Sequence, residues 1–189
     1  MSGGDRPRRQ RPGPAAPDLL ALFATLGKHD VAFLVIGGVA VAHHGYIRST
    51  EDLDIIPEPT EANLRRLWDA LLEMEAHPLE LGDFRPDELP APFSLEGLLQ
   101  LGNWALATKY GRLDILQYLN GKLETLEHYD ALEDEGDEIP LPSGRVLFTS
   151  YEDLIDFKNI AGRDQDLTDI RALREARGET DRFDDSTAD

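Results

Sequence analysis

The chain contains no cysteine, which excludes disulfides, thiolate metal ligands and a cysteine nucleophile. That absence is compatible with a reducing cytoplasm, the expected location. No apolar run approaches the roughly 20 residues that span a bilayer, so no membrane partner is expected. A Gly-x-x-x-x-Gly-Lys-Ser/Thr phosphate loop is missing, which excludes the P-loop NTPases. No nucleophilic triad stands out. Basic residues are scarce: 19 Lys and Arg stand against 37 Asp and Glu, for a formal net charge of −18 at pH 7.

Part of that scarce positive charge sits at the N-terminus. Residues 1–17 hold Arg6, Arg8, Arg9 and Arg11 against Asp5, so this arm is +3 and the rest of the chain, to reach −18, carries −21. A body that acidic repels phosphate backbones, and generic DNA binding is not expected. The arm is rich in Arg, Pro and Gly and has no apolar stretch of signal-peptide type. It reads as disordered. At 189 residues the chain suits one domain with short tails: an arm over 1–17, a domain over 18–178 and an acidic flexible tail over 179–189.

Asp18 is placed to cap a helix whose apolar face is Leu19, Leu22, Phe23 and Leu26, with Gly27 as its stop. Val31–Ile36 is a buried strand by length and continuous apolarity. Gly37-Gly38 follows, then a short helix over Val39–His44. Asp52–Ile56 is a second strand, closed by Pro57 and Pro59. Thr60 opens the clearest helix, with Leu64, Leu67, Trp68, Leu71 and Leu72 on one face. His77–Ser94, with four prolines and no period, is expected to be a loop facing substrate or acting as a lid.

Trp104–Thr108 and Arg112–Gln117 read as a hairpin turning at Tyr110-Gly111. Gly121–Asp137 reads as an acidic helix and loop, and Glu133–Glu138 as solvated loop. A turn at Pro142–Gly144 leads into a strand over Arg145–Thr149. Ser150 and Asp153 open a helix to about Ala161. A last helix runs from near Asp166 to near Gly178. The fold class is α/β, in stricter terms α+β: a small mixed sheet with flanking helices.

Chemistry concentrates between Ile36 and Ile55. Two glycines after a buried strand let the backbone turn tightly and approach a ligand, and the helix behind them favours an anion such as phosphate. Asp52 and Asp54, two apart in a strand, project to one face. Two carboxylates about 4 Å apart repel by roughly 4 kcal/mol at an effective dielectric near 20, which a divalent cation relieves. Oxygen-only ligands point to Mg²⁺ or Mn²⁺. His43 and His44, adjacent on a helix, are expected to diverge rather than share a metal.

Gly-Gly, a dozen residues, then Asp-x-Asp resembles the signature of the DNA polymerase β-like nucleotidyltransferases. Gly45 and Arg48-Ser49-Thr50 between them resemble the small bacterial branch, which includes aminoglycoside and lincosamide adenylyltransferases and AbiEii-type toxins. The resemblance implies a polymerase β-like nucleotidyltransferase fold and transfer of a nucleoside monophosphate from an NTP to an acceptor hydroxyl, with loss of pyrophosphate. Asp114, within Arg112-Leu113-Asp114-Ile115-Leu116, fits the family's third carboxylate. That set makes Asp52, Asp54 and Asp114 both metal ligands and catalytic residues, with Asp114 able to act as base. Gly37, Gly38, Arg48, Ser49 and Thr50 fall to nucleotide binding.

Lys158-Asn159-Ile160-Ala161-Gly162-Arg163-Asp164-Gln165-Asp166-Leu167-Thr168-Asp169-Ile170 resembles a second family block. It implies phosphate contacts from Lys158 and Arg163. Asp166 is either a helix cap or a second-tier catalytic residue, and Asp169 makes local helix contacts. The acceptor is a small hydroxylated molecule of antibiotic type, a tRNA end, as for toxins held by an antitoxin protein, or a protein hydroxyl. The reading from another class is a catalytically silent nucleotide-binding or protein-interaction module.

Overall fold

Phe33–Ile36 is apolar on both faces and becomes an inner strand, β1. In the computed structural model of the chain, which describes residues 16–79, 93–119, 125–141 and 144–179, β1 lies between β2 (Asp52–Pro57) and β7 (Gly144–Phe148). The expected arm and tail fall almost wholly outside the described residues, as does most of the loop expected over His77–Ser94. β3 (His77–Pro78), β4 (Trp104–Thr108), β5 (Gly111–Ile115) and β6 (Asp137–Leu141) complete a seven-stranded sheet of order β3-β4-β5-β2-β1-β7-β6. It is mixed: β1 runs antiparallel to β2 and parallel to β7, and β2 runs parallel to β5.

Alternation along the strands divides the sheet into two faces. Phe33, Val35, Leu53, Ile55, Leu113 and Ile115 enter one core. Against it pack Leu22, Phe23 and Leu26 of α1 (Leu19–Lys28) and Leu64, Leu67 and Leu71 of α3 (Glu61–Glu73). The other face carries Leu34, Ile36 and Ile56, and its cover is smaller. Tyr129 and Leu132 of α5 (Leu126–Glu135) and Phe157 of α6 (Tyr151–Ala161) close only part of it. Asp52, Asp54 and Asp114, by the same alternation, stand on this second face where cover is incomplete.

Several elements depart from expectation for local reasons. Asp18 caps α1, accepting from the Ala21 amide at 3.1 Å, but Gly27 lies inside the helix. The chain reverses at Asp30 with φ +51°, a conformation Asp tolerates. Leu72, counted on the apolar face of α3, is 59% exposed. α2 (Gly37–His43) begins at the glycines themselves rather than at Val39. The hairpin turn falls on Lys109-Tyr110, and Gly111, at φ +114°, already opens β5.

Three elements were not expected. β3 pairs antiparallel with β4 at the start of the stretch expected to be loop. α4 (Leu95–Leu99) is capped by Ser94, whose hydroxyl accepts from the Gly97 amide, and Phe93 before it sits between Trp68 and Trp104. β6 takes Asp137 and Glu138 out of the expected solvated loop into an edge strand, and Glu133 ends up inside α5. α7 (Asp164–Ala176) starts two residues earlier than expected, with Arg163 at the N-cap.

Asn63 is wholly buried and ties α3 to the start of β1. Its Oδ1 accepts from the Ala32 amide at 2.8 Å, and its Nδ2 donates to the carbonyls of Ala32 and Glu58 at 2.8 and 3.0 Å. Asn63→Ala strands the Ala32 N–H away from water, and such an unmet donor costs about 1–3 kcal/mol beyond the lost bonds. The variant should lose about 3 kcal/mol in urea denaturation; a loss under about 0.5 kcal/mol would show that the clamp is dispensable.

Candidate active site

The parallel pairing of β2 with β5 sets Asp52 against Arg112 and Asp54 against Asp114. Period-2 alternation turns all four side chains to the partly covered face. One carboxylate oxygen from each of Asp52, Asp54 and Asp114 lies within 4.8 Å of the other two. The spacing suits a shared hard cation, and the chemistry of the donors, oxygen only, fits Mg²⁺ or Mn²⁺.

Burial and crowding set the electrostatics. Asp54 is pushed from 3.8 to about 7, first by burial, then by the charges of Asp52 and Asp114, with Arg112 and Arg163 working in the other direction. Asp114 is also raised, by burial above all, although Arg112 opposes the rise. Arg112 grips both oxygens of Asp114, at 2.8 and 2.6 Å, and comes within 3.6 Å of Asp52. Thr50 Oγ1 donates to Asp52 Oδ1 at 3.1 Å and fixes that carboxylate's orientation.

The glycines leave room for this. A Cβ on Gly37, whose φ is +64°, would overlap the Asp54 carboxylate, and one on Gly38 would press on Thr50 Oγ1. Gly37, Gly38, Arg48, Ser49, Thr50, Asp52, Asp54, Asp114, Lys158, Arg163 and Asp166 all line one cavity of about 440 Å³. Leu116, Leu119, Leu154 and Phe157 give it an apolar wall, and Glu51 and Gln165 add polar groups. Arg112 was not singled out in the sequence. Strand alternation from Asp114 would have placed it on the same face, but its pairing opposite Asp52 depends on register.

The second block forms an ionic lattice at the cavity's far side. Lys158 is buried and donates to Asp169 at 2.6 Å and Asp166 at 3.1 Å. Arg48 forks onto both oxygens of Asp169 at 2.8 and 2.9 Å, and Gln165 adds a third partner. Burial works to raise Asp169, but the hydrogen bonds from Arg48, Lys158 and Gln165 outweigh it and hold the carboxyl below the ordinary range. Asp169 thus reaches well beyond its own helix. Asp166 caps α7 from its third position, accepting from the Arg163 amide at 3.3 Å. The Arg163 side chain bonds Asp166 yet stays 78% exposed.

Because Asp54 holds its proton more tightly folded than unfolded, stability of the metal-free protein falls as pH rises from about 4 to about 7. At about 1.4 kcal/mol per unit the ceiling is about 4 kcal/mol. In chelator, Asp54→Asn should melt above the wild-type chain near pH 8 and converge with it near pH 4. Equal melting at both pH values would show that burial and the neighbouring carboxylates do not raise Asp54.

No protein-family model and no curated protein matches the chain; solved structures do. The lincosamide antibiotic adenylyltransferase LnuA, with lincomycin bound, aligns at TM-score 0.53 and 18% identity over 84% of this chain and 95% of that one. ANT(2")-Ia in complex with adenylyl-2"-tobramycin aligns at 0.51 and 15% identity, over 85% of this chain and 87% of that one. An antigenic nucleotidyltransferase-like protein from Paracoccidioides brasiliensis gives 0.52 and 16%, over 82% and 72%. At such identities the likeness is one of fold, and the chain has the polymerase β-like nucleotidyltransferase fold that its glycine pair and Asp-x-Asp resemble.

Proposed function

We propose that the chain is a divalent-metal-dependent nucleotidyltransferase that moves a nucleoside monophosphate from an NTP to the hydroxyl of a small-molecule acceptor, releasing pyrophosphate. The observation that carries this reading is the triad of carboxylates within one ion's reach beside Gly37-Gly38. Asp52, Asp54 and Asp114 would hold the ion, Mg²⁺ or Mn²⁺, which supplies charge neutralisation at the triphosphate.

In this reading the chain's own groups mainly position and orient. Gly37 and Gly38 keep side chains out of the space beside Asp54. Thr50 aims Asp52. Asp114, raised by burial, is a stronger base than a surface aspartate and would take the proton of the acceptor hydroxyl once Arg112 releases it. Arg163, exposed at the rim, is the side chain best able to turn toward phosphate. Lys158 and Arg48 act indirectly: Lys158 holds Asp166, which lines the cavity, and the two together hold Asp169.

Charge supports a small acceptor. The chain carries −18, and the cavity's Arg48, Arg112, Lys158 and Arg163 are each paired with a carboxylate. A polyanionic tRNA would find little attraction there, whereas a cationic small molecule is drawn in. LnuA and ANT(2")-Ia, the lincomycin- and adenylyl-tobramycin-bound neighbours, support the same choice. A tRNA acceptor, a toxin role with an antitoxin partner and a cytoplasmic setting are finer readings of the same site. Arg112 clamped on Asp114 favours the rival reading, a silent nucleotide-binding module in which the guanidinium stands where a metal would.

Each NTP at about 100 times its Kd should stabilise the Mg²⁺-loaded chain by roughly 2.7 kcal/mol, a rise in Tm of about 5 °C or more. Labelled NTP should then pass to a cationic hydroxylated acceptor and not to tRNA, and Asp54→Asn should abolish transfer. A Mg²⁺-dependent shift without turnover on any acceptor would favour the silent module; full activity in Asp54→Asn would sink the metal assignment.

A further inference from the structure

The far end of α2 holds a second cluster of metal-competent groups. His43 closes the helix and His44 is its C-cap. Adjacent helical side chains diverge by about 100°, which is why a shared ligand was not expected. The structure adds a third group to the pair: Asp137, at the start of the edge strand β6, approaches both rings. Its Oδ2 lies 3.1 Å from His43 Nε2 and 4.0 Å from His44 Nδ1. One ligand atom from each of the three residues falls within 4.8 Å of the others.

The orientation of His44 follows from its other nitrogen. Nε2 lies 2.9 Å from the carbonyl oxygen of Thr149. A carbonyl only accepts, so Nε2 carries the hydrogen, and Nδ1 is the ring nitrogen turned toward Asp137. Nδ1 faces the Asp137 carboxylate across 4.0 Å, and the same oxygen is in hydrogen-bond range of His43 Nε2 at 3.1 Å, so the three groups converge on one point. A metal-bound histidine characteristically donates its remote N–H to a carbonyl or carboxylate in this way.

Packing holds both rings in place before any ion arrives. His43 stacks on Phe148 at 4.4 Å, with 20° between the planes, and meets His44 edge-on at 4.9 Å. His44 also meets Tyr151 edge-on at 6.0 Å. The His44 side chain is 5% exposed, whereas that of Asp137 is 56% exposed. The cluster is thus rigid on its protein side and open to water on the other.

We infer that His43, His44 and Asp137 form a binding site for a borderline divalent transition metal, Zn²⁺ by preference, with water in the remaining position. Two imidazole nitrogens and one carboxylate oxygen suit Zn²⁺ and not Mg²⁺, which favours oxygen alone. The bound ion would fasten β6 to the end of α2, the helix whose first residues are Gly37 and Gly38. Its role is structural and independent of the nucleotidyl-transfer reading.

The test is Zn²⁺ titration calorimetry on the full chain in an Asp54→Asn background, which disables the carboxylate triad. One equivalent should bind there and raise Tm. Asp137→Ala, at a half-exposed position that spares the core, should weaken binding by more than about tenfold while leaving the metal-free Tm unchanged. His43→Ala should weaken binding likewise, with some loss of metal-free Tm from the lost stacking on Phe148, and Co²⁺ substituted for Zn²⁺ should lose its ligand-field absorption in both. Unchanged affinity in Asp137→Ala and His43→Ala, or no Zn²⁺ bound in the Asp54→Asn chain, would overturn the site.

Discussion

Three carboxylates on one sheet face within 4.8 Å of one another are the constraint around which the structure is arranged. At that spacing each pair of full charges repels by about 3–4 kcal/mol at an effective dielectric near 20. The cluster survives because Arg112 is threaded into it by the β2–β5 register and because Asp54 retains a proton up to about pH 7. The apolar face of the same strands is packed by α1 and α3, so the strain is carried by a sheet that cannot shift. A site built this way is electrostatically incomplete, which fits one meant to receive a cation and a charged substrate.

On the second face, ion pairing adds to the apolar contacts of Tyr129, Leu132 and Phe157. Lys158, Asp166 and Asp169 are all buried, and Arg48 ties them to the loop between α2 and β2. Burying charges yields little net stability compared with an apolar core, but losing one partner leaves the others exposed to a dry interior. The geometry of Arg48, Ser49 and Thr50 therefore depends on helices more than 100 residues later in the chain. Through Thr50, so does the orientation of Asp52.

Much of this could be read from the residues because the signals were local. A continuous apolar strand, two glycines and Asp-x-Asp in the following strand specify the two sheet faces by alternation alone. Asp18, Thr60 and Ser150 announce their helices by capping. What escaped was long-range. Arg112 acquires its meaning from strand register, and β6 from a partner strand that supplies its pairing despite a polar, proline-containing sequence. The pairing of Lys158 with Asp169 and Asp166 depends on how α6 packs against α7, which no local signal announces. His43 and His44 were judged on helical angles, without the strand that brings Asp137 to them.

The order of the sheet bears on how the chain is made. β1 is central, yet its parallel neighbour β7 is separated from it by more than 100 residues. As synthesis proceeds from the N-terminus, β1, β2, β4 and β5 can pair and assemble the carboxylate cluster while the outer edge of β1, with Leu34 and Val35, has no partner. Long-range parallel pairing is slow to form, and an unpaired apolar edge is prone to association. The interval between emergence of β5 and of β7 is the stage at which a nascent chain of this topology is most vulnerable to aggregation, and slower translation across residues 116–143 would lengthen it.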